Sequence, residues 1–214
     1  LSVRTPAQIL SQTFSSEDIF LGDGVIARGQ SAAILGPPGV GKSRLMTQLA
    51  SCCITSKPFL GLPVNGKGQK WLFLQAENSN RRLHSDLGKQ RGAFTDAEWS
   101  NLSEKMLFHT LEKPSDERLR LCDSKNADVI AKCLLDNMPD IIVLDPLNAF
   151  AVGSLNNDEG MLATLEQISQ LAKAINPDVT IILVHHTVTG RDGIRKAVGP
   201  DRASYGRGSK ALYG

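Results

Sequence analysis

No stretch of this sequence approaches the ~20 consecutive apolar residues that a membrane-crossing helix needs. Its apolar runs, such as 141–144 and 181–184, have the length of strands. Cysteine is scarce, and Cys52, Cys53, Cys122 and Cys133 show no C-x-x-C spacing. That excludes the usual metal and thiol-redox motifs and fits a reduced, cytoplasmic setting. Charge of one sign is lacking too, because 24 Lys and Arg stand against 22 Asp and Glu, a net +2. A polybasic, histone-like protein and an acidic disordered tail are both ruled out. Glycine and proline follow no period, so the chain is neither collagenous nor of low complexity. There is no internal repeat and no linker long enough to divide the chain. No signal peptide is visible, and the start at Leu1 leaves a leader or an upstream domain open.

What is present suffices for one packed domain over residues 1–214, with 41% hydrophobic and 21% charged residues. Thr5-Pro6-Ala7-Gln8 combines an N-cap, a proline at the first helical position and a glutamine three residues after the cap. This predicts a short helix to about Phe14 inside a lead-in over 1–20. Ser31-Ala32-Ala33-Ile34-Leu35 predicts a buried strand. From Lys42, apolar residues at Leu45, Met46, Leu49, Cys52 and Cys53 take helical spacing until Pro58. Further strands are predicted over 70–75, 106–110, 141–145 and 179–185. Further helices are predicted over 80–92, from the capping box Thr95-Asp96-Ala97-Glu98 to Glu104, and over 126–137 and 158–175. The third of these carries Val129, Ile130, Cys133 and Leu134, and the last a stripe from Met161 and Leu162 to Ile175. Apolar strands alternating with amphipathic helices predict an α/β fold, a mostly parallel central sheet with helices on both faces.

Gly36-Pro37-Pro38-Gly39-Val40-Gly41-Lys42-Ser43 fits G-x-x-x-x-G-K-[ST] without mismatch, between a predicted strand and a predicted helix. Glycines let successive N–H groups turn inward around a phosphate, and the helix N-terminus adds donors and positive potential. Residues 36–43, with Arg44 next in line, are the expected nucleotide cradle. Lys42 is expected on the β- and γ-phosphates and Ser43 on Mg²⁺. A rival dinucleotide pattern, Gly22-x-Gly24-x-x-Ala27, precedes a strand instead of joining a strand to a helix, and is set aside.

Ile141-Ile142-Val143-Leu144-Asp145 has the form of a Walker B strand, with its acid placed to reach the same Mg²⁺ directly or through water. No Glu follows Asp145, so the base for an attacking water is sought elsewhere. Glu77, after Trp71-Leu72-Phe73-Leu74-Gln75-Ala76, would lie on the same rim of a parallel sheet as the cradle. Its position alone fits equally a solvated carboxylate at the start of the next helix.

Taken together, these residues resemble RecA-like P-loop ATPases, in particular the plasmid replicative hexameric helicase (RepA) family. Gly36 to Ser43, Leu74 to Asn78, Ile141 to Pro146, Ile182 to His186 and Arg207-Gly208-Ser209 follow the order and approximate spacing of that family. The resemblance implies a homo-oligomeric ring, usually a hexamer, with ATP bound between neighbouring copies. It implies that Glu77 is the general base and that His186, rather than His185, is the sensor of the γ-phosphate. Arg207, assisted by Lys210, is implied as a finger donated to the neighbouring copy's nucleotide. In such rings the loop after the sensor strand lines the central channel and grips single-stranded DNA or RNA. Here that loop is basic, with Gly190 and Gly193 permitting movement and Arg191, Arg195 and Lys196 placed to contact phosphates. It has no aromatic residue before Tyr205 for base stacking, and a solvated surface loop fits its charge as well. The chain ends at Gly214, where RecA-like cores usually continue, so a C-terminal piece is expected to be missing.

The expected activity is Mg²⁺-dependent ATP hydrolysis by a ring acting on single-stranded DNA, with no membrane partner. A monomeric small-molecule kinase and a non-enzymatic ATP-dependent assembly module are the alternatives.

Overall fold

Within each core strand, successive side chains point to opposite faces, so one sheet organises two apolar layers. The computed structural model describes residues 3–13, 15–65, 68–113, 119–155 and 157–187. A capped turn, α1 (Pro6–Leu10), precedes a small antiparallel hairpin of β1 (Ile19–Leu21) and β2 (Ile26–Ala27). The core then runs β3 (Ser31–Gly36), α2 (Lys42–Thr55), β4 (Trp71–Gln75), α3 (Asn80–Arg91), α4 (Asp96–Lys105) and β5 (Met106–Phe108). It continues with α5 (Ser124–Asn137), β6 (Ile141–Asp145), α6 (Asp158–Ile175) and β7 (Thr180–His186). Strands β3-β7-β6-β4-β5 lie side by side in that order and are parallel throughout. The α/β class read from the sequence is what the chain adopts.

Register makes the layers continuous. Phe73, Val143 and Ile182 are neighbours across three strands and face the layer of Met46 and Leu49 on α2 and Leu102 on α4. Leu72, Ile142 and Ile181 are neighbours on the other face, under Ile130 and Leu134 of α5 and Met161 and Ile168 of α6. Burying each such side chain stabilises the fold by ~1.5–3 kcal/mol relative to leaving it exposed. Among the described residues no helix is long and apolar enough to cross a membrane.

Several local expectations shift for identifiable reasons. Helix α1 has its full Thr5–Gln8 capping box but ends at Leu10 instead of Phe14, since none of its residues is buried. Strand β3 is only partly buried, and among the described residues it borders the sheet and pairs with β7 alone. Val129 and Leu162 face solvent, 62% and 47% exposed, so the apolar stripes of α5 and α6 are narrower than their spacing suggests. Gly22 and Gly24 lie in the turn between β1 and β2, which explains a glycine pattern outside any strand-to-helix junction. Helix α3 buries no residue at all. It is tied to α2 by Arg44, whose Nε and Nη2 donate to the two carboxylate oxygens of Asp86 at 3.0 and 2.8 Å.

Gly160 sits in the first turn of α6, where Asn157 accepts its N–H at 2.9 Å. A Cβ at this position would overlap the Ser154 carbonyl oxygen, a backbone atom that cannot move aside cheaply. Gly160→Ala is expected to destabilise the protein by ~1–3 kcal/mol in urea unfolding. Gly88→Ala on α3, whose Cβ meets nothing, should instead be neutral or raise stability by up to ~1 kcal/mol.

Candidate active site

The strand-to-helix turn forms where the glycine spacing places it. Gly39 and Gly41 have φ of 78° and 93°, a region that side-chain-bearing residues enter only with strain. A Cβ on either would meet no atom within 4 Å, so the inner face of the loop is open space. Helix α2 starts without a side-chain cap, which leaves its first N–H groups turned toward that space. An open, donor-lined concavity at a helix N-terminus fits a phosphate group.

Lys42 lies across this loop and is only 8% exposed. Its Nζ donates to the carbonyl oxygens of Gly36 and Pro37, both at 2.8 Å, and stands 3.1 Å from His186 Nδ1. Burial lowers its pKa, while the nearby Asp145 and Glu77 carboxylates push it back up. An ammonium only donates, so Nδ1 of His186 accepts and the ring proton resides on Nε2. That nitrogen faces Glu77 Oε1 at 3.4 Å, completing a chain from Lys42 through His186 to Glu77. His185, by contrast, is 2% exposed within the sheet. Parallel pairing of Gly36 with His186 brings cradle and histidine to the same rim.

Asp145 ends β6 beside them, 4% exposed and in register with Gln75 of β4. The Ser43 side chain lines the same cleft beside it. Burial raises the Asp145 pKa most and Glu77 adds to the rise, against the opposing pull of Ser43, Lys42 and His186. Ser43 and Asp145 present adjacent hard oxygens, a donor set suited to Mg²⁺ that takes its remaining ligands from phosphate and water. Between α2 and α3 a cleft opens beside this pair, lined also by Phe73 and Phe108.

Lys42, Ser43, Glu77, Asp145 and His186 therefore meet around one cradle. Val40 and Pro38 are on its exposed rim. Arg44 is paired with Asp86 and lines the same cleft. Arg191, Arg195, Lys196, Arg207 and Lys210 lie outside the described residues. Sequence reasoning missed Gln75, Asn78 and His109, whose hydrogen bonds build the turn that carries Glu77. The available signal was a glutamine closing an otherwise apolar strand.

Over residues 10–192 the chain matches the AAA domain, an ATP-hydrolysing P-loop family related to RecA-like helicases. It belongs to that family. The matched span takes in the seven strands of the described residues and every member of the cluster above. No curated protein matches the chain. As an AAA domain it is a P-loop ATPase, and the open glycine cradle agrees with the nucleotide binding that this class implies.

The buried carboxylate gives a pH test. A native pKa raised above the free value of 3.8 means that the folded protein binds this proton more readily than the unfolded chain. Stability from this group therefore falls as pH rises from 3.8 through the raised native value, and the full penalty is present above it. In chelator and without nucleotide, Asp145→Asn should raise the urea midpoint at neutral pH. The gain should shrink as the pH is lowered toward 3.8, and a lowered midpoint at neutral pH would contradict the assignment.

Proposed function

We propose that this AAA domain is the motor of a replicative-helicase-type ring, a hexamer that hydrolyses ATP on single-stranded DNA in the cytoplasm. The observation that carries the reading is the contact chain Lys42–His186–Glu77 beside the Ser43–Asp145 pair. It gathers a phosphate-reaching cation, a sensor and a base on one strand rim.

In this reading the β- and γ-phosphates of ATP replace the neutral carbonyls of Gly36 and Pro37 as partners of Lys42, a stronger, charge-assisted contact. Ser43 and Asp145 hold Mg²⁺, which when bound neutralises charge on the phosphate oxygens. Glu77, half exposed on the rim, is open to water and accepts a proton from the attacking molecule. The water attacks in line, and Lys42 stabilises the charge that spreads over the equatorial oxygens. Arg207 of a neighbouring copy supplies a second cation there, so the site is completed only in the ring.

His186 loses its Lys42 contact when the lysine turns to phosphate, and thereby reports occupancy. The next residue, Thr187, donates its N–H to Gly36 O at 3.1 Å, on the same carbonyl that Lys42 uses. Motion of the cradle thus reaches the start of the segment that carries Arg191, Arg195 and Lys196, the proposed grip on the DNA backbone.

The test is ATPase rate per protomer against protein concentration, with and without single-stranded DNA. The expected result is a steep rise with concentration and a further rise with DNA. Glu77→Gln should retain ATP binding and abolish turnover. Arg207→Ala should lose ~10³-fold in rate and recover on mixing with Lys42→Ala protein, which supplies the missing guanidinium. A strict monomer whose turnover depends on a small acceptor molecule would overturn the motor in favour of a kinase. No turnover under any of these conditions would leave an assembly module.

A further inference from the structure

Residues Trp71 to Asn78 are buried with a single exception, Glu77. An exposed residue at the tip of a buried strand end would swing freely unless something held its backbone. Gln75 does so. Its side chain is 2% exposed and uses all its hydrogen-bonding groups within the fold. Nε2 donates to Asn78 O at 3.0 Å and to His109 O at 2.8 Å, and Oε1 accepts from Asn78 N at 2.7 Å. The amide thus grips both backbone groups of the residue just after Glu77.

Two further bonds fix the other end of the turn. Ala76 N donates to Asp145 O at 2.9 Å, and His109 Nδ1 donates to Gln75 O at 2.9 Å. The His109 backbone N–H continues the strand pairing by donating to Phe73 O. With 75, 76 and 78 all secured, Glu77 retains little freedom beyond its own rotamers. Buried amides whose donors and acceptors are all satisfied rigidify what they hold.

We infer that Gln75 is a positioning residue that fixes the direction of the Glu77 carboxylate by clamping the turn on both sides of it. This rests on the reading of Glu77 as the base. Aim matters because a displacement of ~1 Å in a catalytic group can lower a rate by ~10²-fold. The side-chain hydrogen bonds of Gln75 go to Asn78 and His109 and not to the glycine loop or Lys42, so its contribution falls on turnover more than on nucleotide binding.

Gln75→Met keeps the length of the side chain and removes all three bonds. The expected result is a kcat lowered by ~10²-fold with unchanged affinity for a non-hydrolysable ATP analogue. In a Glu77→Gln background the same substitution should leave the residual rate where it was, since no carboxylate remains to be aimed. A further, additive loss would mark a general structural defect and overturn the inference. If Glu77→Gln itself turns over normally, the base reading falls and this inference with it. If Glu77→Gln is inactive while Gln75→Met has wild-type kcat, only the positioning role falls. Should Gln75→Met fail to fold, Gln75→Glu carries the test. It keeps the length and an acceptor, but an ionised carboxylate cannot donate to Asn78 O or His109 O. It too should lose kcat at unchanged affinity, and a wild-type kcat would refute the role.

Discussion

Parallel pairing is the constraint from which the rest of the molecule follows. Because β3, β7, β6 and β4 run in one direction, their carboxyl ends form a single rim. Gly36 is level with His186 and Gln75 with Asp145, so residues far apart in sequence arrive at one place. Switch-point crevices of open α/β sheets bind ligands for this reason: strand ends supply side chains, and helix starts supply N–H groups. An antiparallel sheet of the same strands would scatter these groups over two edges.

Electrostatics on that rim is arranged for a ligand more than for the empty protein. Asp145 carries a carboxylate into a buried position, and Lys42 carries an ammonium under its own loop. Neither is a favourable burial by itself, as the opposite displacements of their proton affinities show. Each is partly relieved by the other, and Lys42 also by loop carbonyls. Ionisable groups perturbed by burial and by a specific charged neighbour cluster at functional sites. The histidine between Lys42 and Glu77 connects a buried cation to an exposed carboxylate.

Much of this was legible before any coordinates. The glycine loop, the acid closing an apolar strand and the alternation of strands with amphipathic helices depend on local spacing, and β6 and α6 fall within their expected bounds. What was hidden depends on neighbours that spacing does not name. Ser31 to Leu35 looks like an interior strand, yet among the described residues it borders the sheet, because strand order is not written along the chain. Val129 has a helical neighbour pattern but no layer above it. Glu77 is picked out as a candidate by its place after a strand, whereas Gln75 carries no mark in the sequence beyond closing that strand. Its role emerges only when pairing of β4 with β5 brings His109 alongside.

Helix α3, which follows Glu77 and walls one side of the cleft, is fastened to α2 by ions rather than by buried carbon. The Arg44–Asp86 fork lies at the surface, where dissolved salt weakens attraction between charges. Ionic strength thus acts on this wall directly, while the two apolar layers beneath it are indifferent to it. The scaffold is stiff, and one jamb of its doorway is tuned by the solvent.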